Sequence, residues 1–141
     1  MNGYAQHYQN NQIATASREQ ILIMLYDGAI RFSKQAKLAI ENNDQANKGK
    51  FIGKTVAIVT EFSNSLNHDV GGDIAANLDA LYNFMLNELS RANINNDTGP
   101  IDTVCRMLCE LRATWAEAIE INNSENQANA STSEQATIRA L

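Results

Sequence analysis

The residues best suited to metal or phosphoryl-transfer chemistry in this chain are two histidines, His7 and His68. A carboxylate-bridged di-iron centre in a helical bundle requires a Glu three residues before a His on each of two helices. Neither histidine has a Glu at that position. The sequence therefore predicts no di-iron centre.

A phosphoryl-accepting histidine is the alternative chemistry, because an exposed imidazole can take up a phosphoryl group. His68 lies in the polar turn HDVGGD beside Asp69, and the nearest Lys or Arg in the chain is more than ten residues away. A phosphate on His68 would have no cation from this segment to hold it. We interpret His68 as an exposed turn residue, and a histidine phosphotransfer bundle remains the alternative function.

The remaining reactive side chains are two thiols, Cys105 and Cys109, four residues apart on a predicted helix. Cβ atoms at that spacing lie about 5 to 6 Å apart, beyond the separation that a disulfide spans. We expect both cysteines to be reduced and to lie in or near the core. The sequence contains no glycine-rich phosphate loop, no Cys/His cluster with metal-binding spacing and no nucleophile elbow, so it predicts neither an enzyme nor a cofactor.

The elements that carry these side chains are helices in a single domain. The 141 residues include one proline and seven glycines, and apolar residues recur at helical spacing. A net charge of −5 argues against partners that display phosphates, whether nucleic acid or a membrane surface. With neither a signal sequence nor a membrane span in the pattern, we expect a cytosolic protein.

Helix boundaries follow from capping and turn residues. Ser17 and Gln20 match a capping box, which predicts a first helix from Arg18 to Glu41. Three further helices are predicted over about residues 45–67, 74–93 and 100–121. The short connections predict an antiparallel up-down-up-down four-helix bundle over residues 17–121. An N-terminal arm, residues 1–16, precedes it, and a polar, mobile tail, residues 122–141, follows it, within which residues 134–141 could form a short helix.

The first helix is apolar on more than one face in the stretch ILIMLYDGAIRF, residues 21–32. For Tyr26 the pattern leaves open whether a neighbouring helix or a partner covers the side chain. Ile23 and Ile30 are predicted to point away from the core centre, so that either the N-terminal arm or a partner chain covers them. Apolar area beyond the needs of the core usually marks an interaction site. The candidate partner-binding residues are Tyr8, Ile13, Ile23, Tyr26, Ile30, Phe51, Ile58, Phe62, Leu81, Tyr82 and Phe84.

Three segments together resemble the FliS family of flagellar export chaperones over about residues 4–120. Two of them are the runs TASREQILIMLYDGAIRFSKQAKLAI from residue 15 and GGDIAANLDALYNFMLNELSRAN from residue 71, and the third is the region of the late Trp115. A tyrosine in the polar arm upstream also matches. The resemblance implies a four-helix bundle that binds the C-terminal segment of flagellin before type III export, so that flagellin neither polymerises nor degrades. Components of the export apparatus are a further candidate class of partner.

Asp27, Gly28 and Trp115 also match the family pattern. We predict a solvated position for Asp27, a close approach of a neighbour at Gly28, and a core position for Trp115. We also hypothesise that the arm bearing Tyr8 and Ile13 covers part of the binding groove until the client displaces it. Deletion of residues 1–14 should then leave client binding intact or tighter.

Overall fold

The computed structural model describes residues 16–128, and every regular element in that part of the chain is a helix. The all-α prediction is therefore confirmed. The arm residues Tyr8 and Ile13, and the predicted tail beyond Ala128, lie outside the described residues. The helices are α1 (Arg18–Glu41), α2 (Gln45–Asn64), α3 (His68–Gly71), α4 (Asp73–Asn95) and α5 (Thr98–Ala128).

The four long helices form an antiparallel bundle in which α1 packs against α2 and α5, and α4 packs against the same two helices. Two ion pairs show the α1–α5 register: Lys37 Nζ lies 2.9 Å from Asp102 Oδ1, and Arg112 Nε lies 2.8 Å from Asp27 Oδ1. The residue nearer the end of α1 pairs with the residue nearer the start of α5. The two helices therefore run in opposite directions, as expected for short connections.

Side-chain caps set the helix starts. Ser17 Oγ accepts a hydrogen bond from Gln20 N at 3.2 Å, and Gln20 Oε1 accepts one from Ser17 N at 3.0 Å. This capping box satisfies backbone N–H groups that have no partner within the helix, so α1 begins as predicted. Asp44 does the same for α2, accepting from Asn47 N at 3.2 Å.

The structure differs from the sequence expectation at three places. Helix α2 ends at Asn64, before its predicted end near residue 67. The predicted turn after α2 contains the one-turn helix α3, which begins because Asn67 Oδ1 accepts a hydrogen bond from Val70 N. The last helix continues to Ala128, so residues 122–128 are helical and not part of a tail. Asn122 is buried, which shows that this extra segment still packs on the bundle.

The two ends of the bundle differ in the size of their core side chains. We call the end where α1 and α4 begin, and α2 and α5 end, the cleft end; the opposite end is the closed end. Near the cleft end the core contains large rings, whereas toward the closed end α1 contributes Ser33, Ala36 and Ala39. Small residues at a contact let helix axes approach more closely than large residues do. Within residues 16–128 no helix combines the length and apolarity needed to cross a membrane.

Candidate binding clefts

The first cleft lies at the cleft end between α1 and α2 and has a volume of about 260 Å³. Ile21, Leu22 and Leu25 of α1 form one wall, and Phe62 and Tyr82 contribute to the lining from α2 and α4. Its polar lining residues are Arg18, Glu19, Glu61 and Ser65. An apolar cleft with a few polar groups is suited to apolar side chains presented by an amphipathic segment.

A second cleft, of about 480 Å³, lies on the other side of α1 against α5. Ile23 and Met24 of α1 face Ala116 and Ile119 of α5 across it, and Ala16, Glu19 and Gln20 complete the lining. The first two turns of α1 therefore lie between two clefts. This position explains why the start of α1 is apolar on more than one face.

A cluster of aromatic side chains lies at the base of the first cleft. The Tyr26 and Phe62 rings stack with centroids 4.3 Å apart, and the Phe62 and Tyr82 centroids are 5.5 Å apart. The hydroxyls of Tyr26 and Tyr82 form a buried hydrogen bond of 2.7 Å between α1 and α4. The Trp115 indole of α5 is also buried and belongs to the same core. This aromatic cluster therefore contains side chains from all four long helices.

Burial has an electrostatic consequence for the two phenols. It raises the pKa of Tyr26 far above its ordinary value of 10.0, and the neighbouring Tyr82 adds to this rise. Burial likewise raises the pKa of Tyr82. Both side chains stay neutral well into the alkaline range, because the interior disfavours a phenolate.

Three of the candidate partner-binding residues predicted from sequence, Tyr26, Phe62 and Tyr82, are core residues, with 0%, 5% and 1% of their surface exposed. The interpretation of Tyr26 as a contact between neighbouring helices fits this position. The reason is geometric: these rings meet across the bundle axis, where each helix turns its inner face to the others. Phe62 and Tyr82 can touch a ligand only as the base of the first cleft.

The other described candidates keep accessible surface. Ile23, Ile30, Phe51 and Ile58 are half-buried at the edge of the core, so the bundle itself covers part of Ile23 and Ile30. Ile23 lines the second cleft.

On α4, Leu81 and Phe84 are exposed by 38% and 46% and line neither cleft. The structure thus brings some predicted residues together and leaves α4 with a separate apolar face.

Sequence reasoning missed two polar contacts. Asp27 is solvated as expected, but it also accepts two hydrogen bonds from Arg112, at 2.8 and 3.4 Å. Lys48 is buried and donates to Asn93 O at 3.0 Å and to Asn96 Oδ1 at 2.7 Å at the end of α4. No local signal in the sequence pairs residues so far apart. The position of Lys48 on the apolar stripe of α2 was the available clue.

The reactive side chains remain separate from the clefts. His68 is exposed at the start of α3. Both thiols are free. Cys105 is half-buried, and Cys109 is exposed, so the expected position in or near the core is wrong for Cys109. Partial desolvation of the Sγ atom, together with the neighbouring Cys105 thiol, raises the pKa of Cys109 above its ordinary value of 9.0. The thiol form, which already prevails near neutral pH, is favoured further. Among residues 16–128 no three His, Cys, Asp or Glu side chains converge as a metal site.

The sequence model of the family described as flagellar protein FliS matches residues 1–122 of this chain. The chain belongs to the FliS family. Among its relatives, the flagellar secretion chaperone FliS of Vibrio cholerae is 36% identical over 119 residues, covering 82% of this chain and 88% of the relative. The protein of the same name from Bacillus subtilis is 34% identical over 113 residues, covering 80% and 84%.

A third FliS-family relative, the flagellar secretion chaperone FliS of Salmonella typhimurium, is 33% identical over 115 residues, covering 81% of this chain and 85% of the relative. The resemblance inferred from the residues is therefore confirmed. FliS-family relatives are named as chaperones, a non-enzymatic role, which confirms the expectation that this chain is not an enzyme.

Proposed function

We propose that this FliS-family chain is a cytosolic export chaperone that binds the C-terminal segment of flagellin, prevents its premature polymerisation and supports filament assembly. The observation that carries the proposal is the pair of clefts beside the first two turns of α1. A bundle that needed only internal stability would gain by filling such apolar space. A chaperone that binds an amphipathic segment needs this apolar space to be open to the segment.

The clefts suit a client that is disordered before binding. Such a segment can place apolar side chains into both clefts at helical spacing while its polar face meets Arg18, Glu19 and Glu61. Ordering the segment costs about 2 to 5 kcal/mol of the interaction energy. A long contact is therefore required, and two clefts on opposite sides of α1 favour a segment that wraps round the helix.

The N-terminal arm stays part of the proposal as a competitor for the same space. Ala16, the first described residue and the last of the predicted arm, lines the second cleft. An arm that occupies this cleft without a client would protect apolar surface and would leave when flagellin binds.

The proposal is tested by calorimetric titration with flagellin of the same organism, intact and lacking about 40 C-terminal residues, the length of a long helix-in-groove contact. We expect one-to-one binding that disappears with the truncation. The same titration of a chain lacking residues 1–14 should show equal or higher affinity. Loss of binding by that shortened, folded chain would contradict the role of the arm.

Variants locate the contact. Ile21→Gln in the first cleft and Ile23→Gln in the second should each weaken binding about tenfold, which corresponds to about 1.4 kcal/mol of lost apolar burial. The matched control is Ile94→Gln, because Ile94 is 74% exposed and lines neither cleft. Wild-type affinity in both folded cleft variants would exclude the clefts as the client site.

A further inference from the structure

A second distinctive surface lies between α1 and α2, where three cations surround two phenylalanine rings. The Phe32 and Phe51 rings stack across the helices with centroids 6.1 Å apart. The Arg31 guanidinium lies 5.1 Å from the Phe32 centroid, and the Lys54 ammonium reaches the same ring from α2 at 5.0 Å. Lys50 lies 5.2 Å from the Phe51 centroid. We call these five residues the basic seam.

The basic seam is positive in a chain of net charge −5. Residues 45–60, most of α2, contain three lysines and no Asp or Glu. Within the described residues, Arg31, Lys50 and Lys54 form no ion pair, whereas Lys37 and Arg112 on the opposite side of α1 each pair with an aspartate. All three seam cations are exposed. Two cations between α1 and α5 are thus neutralised by aspartates, whereas all three seam cations lack a counter-charge within residues 16–128.

We propose that the basic seam is a docking surface for an acidic segment of a partner protein. Carboxylates of that segment pair with Arg31, Lys50 and Lys54, and its apolar side chains cover the half-buried edges of Phe32 and Phe51. Because Arg31 and the two lysines already lie over the rings, their positions are partly fixed before the partner arrives. This surface goes beyond the proposed function, since no seam residue lines either cleft.

The chemistry of the seam favours a protein over other anionic partners. Three cations are fewer than the cluster of four to eight that anionic membranes recruit, and fewer than the phosphate contacts of typical DNA-binding proteins. The two rings stack on each other, and each has a cation within about 5 Å of its centroid, so a nucleotide base would have to displace these cations to stack there. An acidic polypeptide with interspersed apolar residues matches both parts of the seam.

The test uses the full chain and a synthetic 14-residue peptide of alternating Glu and Leu, with a Lys/Leu peptide of the same length as its counterpart, the length being about four helical turns. Backbone amide shifts would show where each peptide binds, and calorimetry at low and high salt would give its affinity. We expect the acidic peptide to shift amides of residues 31, 50 and 54, and its binding to weaken with salt.

Matched charge reversals decide the assignment. Lys54→Glu should weaken the acidic peptide about tenfold or more, whereas Arg106→Glu, an exposed cation on α5 outside the seam, should change its affinity less than about twofold, as screened surface charges do. If the two variants weakened the binding of the acidic peptide equally, the binding would depend on the net charge of the protein and not on the seam. That result would overturn the proposal. Tighter binding at the seam by a single-stranded oligonucleotide or an anionic vesicle, or self-association abolished by Lys54→Glu, would overturn it as well.

The same variant separates this inference from the client site. Lys54→Glu should bind flagellin with wild-type affinity, because the clefts are unchanged. A parallel loss of flagellin binding would make the seam, with Phe51, part of the client surface and would overturn its assignment to a separate partner. If flagellin did not bind the wild-type chain, the proposed function would be contradicted. The seam would still be tested independently by the binding of the acidic peptide.

Discussion

The closed end and the cleft end of the bundle use the same four helices in different ways. At the closed end, α1 contributes small side chains to the core, and buried Lys48 caps the end of α4 by donating to Asn93 O and Asn96 Oδ1. Asn96 adopts the left-handed conformation, with φ of 49°, that commonly ends a helix. Contacts between helices therefore hold the closed end, and neither of the two clefts beside the start of α1 extends to it.

At the cleft end, large rings fill the axis and leave apolar clefts on both sides of α1. The buried Tyr26–Tyr82 hydrogen bond and the stacked Phe62 ring hold the helices together there, so the clefts can remain open without loss of the fold. The comparison indicates a division of roles. The closed end and the aromatic cluster supply stability, and the residues that flank the clefts are available for binding.

The largest expected effect tests the closed end. Lys48→Met should lower the free energy of unfolding by about 2 kcal/mol, because it removes the charge-assisted hydrogen bonds that buried Lys48 donates to Asn93 O and Asn96 Oδ1. Lys50→Met, two residues away and exposed, is the matched control and should change stability by less than about 0.5 kcal/mol. Urea unfolding followed by circular dichroism measures both. If the Lys48→Met and Lys50→Met variants were equally stable, the hydrogen bonds of Lys48 would not stabilise the closed end.

A smaller effect concerns the aromatic cluster at high pH. The pKa values of Tyr26 and Tyr82 are raised in the folded state, so their contribution is complete below about pH 10, the unfolded value, and declines as pH rises above it. For Tyr26 the loss approaches about 1.4 kcal/mol per pH unit above pH 10, or about 1 kcal/mol near pH 10.5, and Tyr82 adds to it in the same direction. Unfolding measured near pH 8 and pH 10.5 should show this decline in the wild type. The Tyr26→Phe/Tyr82→Phe variant should show less of it, and an identical decline in both proteins would refute the buried pair as its source.

The smallest effect concerns Gly28, which lies on α1 between the two ends. An added Cβ would meet Ile58 Cδ1 at 3.6 Å, an ordinary van der Waals contact, so the close approach expected there leaves room for a methyl group. Gly28→Ala should therefore raise stability by about 0.5 to 1 kcal/mol through helix propensity. Thermal unfolding measures the change. A destabilised variant would show that α1 and α2 must approach more closely than this packing implies.

Much of the fold was predictable because its signals are local. The capping box at Ser17 and Gln20 predicted the start of α1 correctly, and helical spacing placed Trp115 in the core. The end of α5 was not predictable in this way: residues 122–128 are polar in sequence, yet they are helical and Asn122 packs on the bundle. Propensity and composition describe a segment alone, whereas contact with neighbouring helices decides whether it stays ordered.

The candidate site, like the fold, was predictable only in part. An apolar excess at the start of α1 indicated an interaction surface, but the sequence could not separate Tyr26, which is buried at the axis, from Ile23, which lines a cleft. The sequence by itself determined the helical class, most helix starts and the family, because capping and periodicity act over a few residues. Only the tertiary structure decided which apolar side chains are core, which line clefts, and which cations lack a counter-charge. Those properties depend on residues tens of positions apart that meet only when the four helices pack.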